Sequence, residues 1–329
     1  MKFFEHITVK IFAVFILALW LMPVFSAPPK LRTATFFKRQ YISLYSIANM
    51  YRFRVTARGG RVYMTGRYHS FSFTPEKMAA SFNGVQITLC HSLYQKNGVY
   101  YVSKMDYDTM LMPLINRHKM RKHYVKTVFL DPGHGGRDVG AEGRYYYEKS
   151  LTLRLASKVR SLLVKNGFRV IMSRRSDAFI SLKDRVAAAN KYKADIMVSI
   201  HFNSAANKKV YGLETYCMTP AGASSSNASK IDYKKYPGNN FDRNNFALAY
   251  LMQRAMLSYS KALDRGVKHA RFLVIKEAKM PAVLVECGFL SNPTSEKIIG
   301  NDRYLNQIAK GIAHSIVNYR RVASEASLK

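Results

Sequence analysis

The chain is short of acid. Its 329 residues carry 20 Asp and Glu against 52 Lys and Arg, a formal net charge of +32. That balance excludes an acidic, solvating polypeptide and points to anionic partners. Cysteine is scarce as well, limited to Cys90, Cys217 and Cys287. An odd number without close pairs excludes a disulfide framework and a two-Cys metal spacing, and leaves the three as small buried apolar residues. Long apolar runs are missing apart from Ile11 to Val24, which is short of the roughly 20 residues a spanning helix needs. Lys2 and Lys10 precede that run and Ser26-Ala27-Pro28-Pro29 follow it. Residues 1–27 therefore read as a signal peptide cleaved near Ser26 or Ala27, the other reading being an uncleaved anchor. Export makes nucleic acid an unexpected partner and favours anionic envelope polymers, although so basic a composition can also be a habit of a whole proteome.

What is present falls into two textures. From Pro28 to Lys126 the acids are Glu76, Asp106 and Asp108, and Tyr and Phe abound. Short β-branched or aromatic segments, Arg61 to Met64, Ser70 to Phe73, Val85 to Leu89 and Val99 to Val102, alternate with Gly60, Gly66, Gly84 and Asn97-Gly98. This is the pattern of a small, mostly β module with tight turns, over 28–115. Tyr41 to Tyr51 and Lys104 to Ile115 suit helices. Residues 116–126, with Arg117, His118, Lys119, Arg121, Lys122 and His123, read as a basic linker. From Thr127 strands and helices alternate through a second domain, 127–320, with 321–329 as a tail. Strands are expected over Val125 to Leu130, Phe168 to Met172, Ile196 to His201, Gly212 to Met218, Phe272 to Ile275 and Ala282 to Cys287. Helices are expected over Glu148 to Lys165, Leu182 to Lys193 capped by Ser181, Phe241 to Ser260, and Tyr304 to Tyr319. The alternation implies an α/β fold, a three-layer sandwich around a largely parallel twisted sheet, whose site lies at the carboxyl ends of the strands.

Four residues fall at or just beyond such ends. His134 sits among glycines in Asp131-Pro132-Gly133-His134-Gly135-Gly136, where the turn leaves room beside the imidazole. Glu148 opens a helix, a place where a carboxylate also simply complements the dipole. His201 ends the buried strand Val198-Ser199-Ile200-His201, and a core His bonded to a carbonyl would fit there equally. Together His134, Glu148 and His201 make a His, carboxylate, His set for a catalytic zinc. Glu286 ends the apolar run Val283-Leu284-Val285-Glu286-Cys287-Gly288. A carboxylate is costly there unless it is paired with an Arg or Lys or does chemistry, such as moving a proton on an attacking water.

These motifs carry a resemblance. Residues from about Val125 to Tyr319 resemble the zinc-dependent N-acetylmuramoyl-L-alanine amidases of the Amidase_3 type. The shared stretches include Asp131 to Gly136, Glu148-Lys149, Ser173-Arg174, Ser181-Leu182 through Arg185-Val186, Ala194-Asp195 through Ser204-Ala205, Gly212 to Tyr216, Asp264 to Lys268, and Met280 through Asn292. The resemblance implies Zn2+ held by His134, Glu148 and His201, with Glu286 as the catalytic acid/base. The implied substrate is peptidoglycan, cut at the amide between N-acetylmuramic acid and the L-alanine of the stem peptide, in the periplasm or cell wall. A monomer is expected. Thr152 stands where the family often has Asn, and Cys287 where an apolar residue is usual. Some members insert a helix that blocks the zinc. Here about Thr219 to Asn240 is rich in Gly, Ser, Asn and Lys, and no such helix is expected. The order Asn83-Gly84-Val85, then Asn97 to Ser103, resembles the copper amine oxidase-like N-terminal domain, an accessory module for envelope attachment, without a copper ligand set. Other readings are a zinc peptidase acting on another wall bond and a non-catalytic wall-binding protein that keeps the fold.

Overall fold

The computed structural model describes residues 30–226 and 228–326. The proposed signal peptide lies outside them, as do the last three residues. Among the described residues no helix is long and apolar enough to cross a membrane.

The first third is built of hairpins. Strands β1 (Thr33–Phe36) and β2 (Arg39–Ser43) lead into helix α1 (Leu44–Tyr51). An antiparallel meander follows: β3 (Arg54–Arg58), β4 (Arg61–Thr65), β5 (Ser70–Phe73), β6 (Ala79–Phe82) and β7 (Val85–Thr88). Then come β8 (Tyr94–Lys96) and β9 (Val99–Ser103). Asn83-Gly84 and Asn97-Gly98 each close a two-residue loop with both φ angles positive, the conformation whose twist matches the flanking strands. Lys104–Asp106, Tyr107–Leu111 and Met112–Ile115 run on as one helical stretch whose middle turn is of π type. Residues 116–126 lie against the rest of the chain. Met120 and Val125 are buried, Asn244 donates to the Arg121 carbonyl, and Arg243 donates to that of Lys119.

The remainder forms the sandwich. Its strands are β10 (Thr127–Pro132), β11 (Arg169–Met172), β12 (Ile196–Asn203), β13 (Leu213–Met218), a small hairpin of β14 (Ala223–Ser225) and β15 (Ala228–Asp232), β16 (Asp264–Ala270) and β17 (Ala282–Phe289). The sheet order is β11-β10-β12-β17-β13-β16, parallel throughout except for β13 against β17. β10 is buried at every position, as a strand covered on both faces must be. Helices α2 (Glu148–Lys165), α4 (Asp242–Ser260) and α7 (Asp302–Glu325) pack on one face with Val128, Leu130, Val283 and Val285. Helix α2 buries Leu151, Leu155, Val159 and Leu163, spaced four apart, and ends before Gly167 at φ +77°. The other face holds Phe129, Met197 and Leu284 under α3 (Leu182–Lys191) and α5 (Leu273–Lys276). The Ser181 hydroxyl caps α3 by accepting from the Asp184 amide. A short α6 (Pro293–Ile299) precedes α7.

One expectation is overturned. Phe272 to Ile275 is not a strand: Leu273–Lys276 is a single helical turn, and the strand of that region is β16. A four-residue apolar run has no period that separates strand from helix, and here it packs Val274 and Ile275 beside Val186 and Ala189 of α3. The sequence also leaves unseen that the two textures share a sheet. β7 pairs in parallel with β16 at Ile87 and Val267, so β7-β6-β5-β4-β3 extend the sandwich's sheet to eleven strands. The described part of 219–240 forms the β14–β15 hairpin and the 3-10 turn Pro237–Phe241.

Candidate metal centre

The site grows from the carboxyl ends of β10, β12 and β17. Just past β10 the chain turns through His134 at φ +59°, a left-handed conformation rare for a residue with a side chain. Two buried arginines hold it there. Arg185 pairs with Asp131 at 2.7 Å, both at most 2% exposed, and donates to the carbonyls of Pro132 and His134. Arg174 donates to the carbonyls of Pro132 and Gly133 and to Thr152 Oγ1. Asp131 also accepts from Ser173 and Ser199. Each polar group of this buried network has a partner, which a desolvated ion pair requires.

His134, Glu148 and His201 converge, offering one ligand atom each within 4.8 Å of one another. Their approach depends on glycines: a Cβ at Gly133 would lie 2.3 Å from the His201 ring, and one at Gly140 2.6 Å from Glu148 Oε2. The Glu148 carboxylate is fixed by the amides of Phe202 (3.0 Å) and Ala141 (2.8 Å). His201 Nδ1 lies 2.9 Å from its Oε1 and His134 Nε2 3.1 Å from its Oε2. Burial works to raise the carboxyl's pKa, but the two imidazoles win and hold it well below the usual range. Burial works to lower that of His134, and the carboxylates of Glu148 and Asp138 overcome it and raise it. Asp138 Oδ1 sits 2.9 Å from His134 Nδ1 and so can hold that proton, leaving Nε2 to face the cluster. Two imidazole nitrogens and a carboxylate oxygen, oriented in this way, suit a divalent metal ion. A cavity of about 510 Å³ opens over His134 and His201, walled by Phe179, Leu182 and Leu273.

Glu286 lies beside this cluster, opposite His201 in the β12–β17 register and opposite Glu214 in the β13–β17 register. Its Oε2 is sealed from solvent and has no hydrogen-bond partner. Burial pushes its pKa well above the usual range, Glu148 and Glu214 push the same way, and Lys268 opposes them. The structure thus brings all four sequence candidates to one place. It gives contacts to Asp131, Arg174, Arg185 and Glu214, which the sequence marks only as members of shared motifs, and it adds Asp138, which the sequence leaves unmarked. Asp138 stands four positions after His134, but nothing local marks it as that ring's partner.

A three-part donor cluster at the carboxyl ends of a mostly parallel sheet, with an unpaired acid next to it, defines an α/β protein of hydrolase type. The family follows from the match of residues 128–318 to Amidase_3, N-acetylmuramoyl-L-alanine amidase; the chain belongs to that family. It is 32% identical over 219 residues to the amidase AmiA of Escherichia coli, covering 59% of this chain and 76% of that protein. It is 36% identical over 194 residues to the Bacillus subtilis protein YqiI, covering 59% and 84%. Among solved structures, an amidase from Clostridium difficile 630 superposes with TM-score 0.51 at 38% identity, covering 59% of this chain and 96% of that one. The catalytic domain of CwlV from Bacillus (Paenibacillus) polymyxa var. colistinus gives TM-score 0.51 at 35% identity, with 60% and 99% covered. The three cysteines are free and buried.

Proposed function

We propose that this chain is an exported, zinc-dependent amidase that releases intact stem peptides from peptidoglycan by cutting between N-acetylmuramic acid and L-alanine. The observation that carries the reading is the meeting of His134, Glu148 and His201 within 4.8 Å, with Glu286 in register beside His201. His134, Glu148 and His201 are the zinc ligands in this reading. Zinc held there would polarise the scissile carbonyl and lower the pKa of an attacking water to about 7. Glu286, opposite His201 in the sheet register, would in this reading accept a proton from that water and return it to the departing amine nitrogen. Asp138 fixes the His134 tautomer, and the amides of Ala141 and Phe202 hold Glu148 in place. Residues 28–115 serve as the accessory module that keeps the enzyme on the wall, and the basic surface favours the anionic envelope over solution.

Digestion of purified peptidoglycan with and without a chelator tests this. The expected products are stem peptides beginning with L-alanine, lost on chelation and restored by zinc. Fragments cut within the stem would overturn the bond assignment, and full digestion in chelator would overturn the metal.

A further inference from the structure

Glu214 on β13 is 2% exposed, yet its Oε1 takes two cations: Arg265 Nε at 2.6 Å and Lys268 Nζ at 2.7 Å, both from β16. Its Oε2 accepts from Tyr216 Oη at 2.6 Å and Asn203 Nδ2 at 3.3 Å. One cation would suffice to neutralise a buried carboxylate, yet Glu214 holds two, with Glu286 opposite it on the neighbouring strand. The cations are not used up. Arg265 spends only Nε on Glu214, and its two terminal nitrogens have no partner among the described residues; the side chains of Arg265 and Lys268 keep 31% and 24% exposure. The Arg265 guanidinium also lies over the Phe289 ring, 5.1 Å from its centre, and the Lys268 ammonium over Tyr216 at 5.9 Å, which limits where they can point. A guanidinium with free terminal donors beside an ammonium is a carboxylate receptor.

Its place gives the ligand. His201, Glu286 and Glu214 form a cross-strand row, and β16 is the next strand beyond Glu214. At about 4.8 Å per strand, β16 lies roughly 10 Å from the strand of Glu286. An extended peptide advances about 3.5 Å per residue, so a chain whose scissile amide sits at Glu286 would bring a group two or three residues away to Arg265 and Lys268. We infer that Arg265 and Lys268, aimed by Glu214, form a subsite for a free carboxylate carried by the stem peptide just beyond its L-alanine. This rests on the amidase reading above.

The test uses the full chain and two peptidoglycan preparations that differ in one group: the stem residue after L-alanine carries either a free carboxylate or a carboxamide. Wild type should release free-acid stems about tenfold faster at limiting substrate, equivalent to about 1.4 kcal/mol. Arg265→Gln and Lys268→Gln should each bring that ratio towards one, while Arg265→Lys should keep part of it. A within-variant ratio is insensitive to partial loss of folded protein. Equal cleavage of both preparations by wild type overturns the subsite alone, as does an undiminished ratio in both glutamine variants. Cleavage of neither preparation overturns the amidase reading and the subsite with it.

Discussion

His134 and Glu286 belong to one site, yet the protein surrounds them in opposite ways. Around His134 each carbonyl of the turn is bound, both ring nitrogens have carboxylate neighbours, and two buried arginines fix the backbone. Around Glu286 the strand is equally well packed, but one carboxylate oxygen is left without any partner. The candidate ligand is saturated with fixed contacts, whereas the candidate proton carrier is buried with one oxygen unpaired. The difference lies in how polar satisfaction is distributed, since burial is similar on both sides.

The comparison can be broken at either end. The largest effect is expected at the unpaired end: Glu286→Gln should keep zinc, by metal analysis, and lose about 10²- to 10⁴-fold in wall hydrolysis. Undiminished digestion would remove Glu286 from proton transfer. At the saturated end, Arg185→Met strands Asp131 in the interior. It should lower unfolding free energy by about 3–5 kcal/mol and weaken zinc binding about 10- to 100-fold, read by denaturant titration and by competition with a chelating dye. Unchanged zinc affinity would mean that the arginine supports the fold without setting the turn. Leu155→Ala separates the two effects. Leu155 is fully buried on the helix that carries Glu148, so the variant should lose about 2–5 kcal/mol of stability with zinc affinity retained in the folded fraction.

The smallest effect concerns a histidine treated unlike His134. His269 is buried on β16 against Phe246, and burial lowers its pKa to about 4 from 6.5. The folded state therefore favours the neutral ring. Its contribution is full above about pH 6.5 and is lost as pH falls towards 4, by at most about 1.4 kcal/mol per pH unit. Urea unfolding at pH 7 and pH 5 should show a smaller acid penalty in His269→Phe than in wild type; equal penalties would place the titration elsewhere.

Much of this was legible in the chain. Helix α2 has the bounds its leucine spacing gives, Glu148–Lys165, because its apolar face is periodic and Gly167 ends it. The central strands stand out as apolar runs, and His201 and Glu286 stand out as the polar residues that interrupt them, although β12 and β17 run on past them to Asn203 and Phe289. β16 did not stand out: Asp264–Ala270 is mostly polar, and it is a strand because β13 and β7 flank it. The join of Ile87 to Val267 and the reach of Arg174 and Arg185 to the turn at His134 are long-range contacts, and no local pattern encodes them.

The left-handed backbone at His134 has a consequence for loading. Because the turn can relax only by releasing two guanidinium clamps, the empty and filled pockets should have the same backbone. For the zinc site proposed above, the entropy of assembling the ligands would then be lost during folding rather than on binding, and ion capture would be a desolvation event on a rigid template.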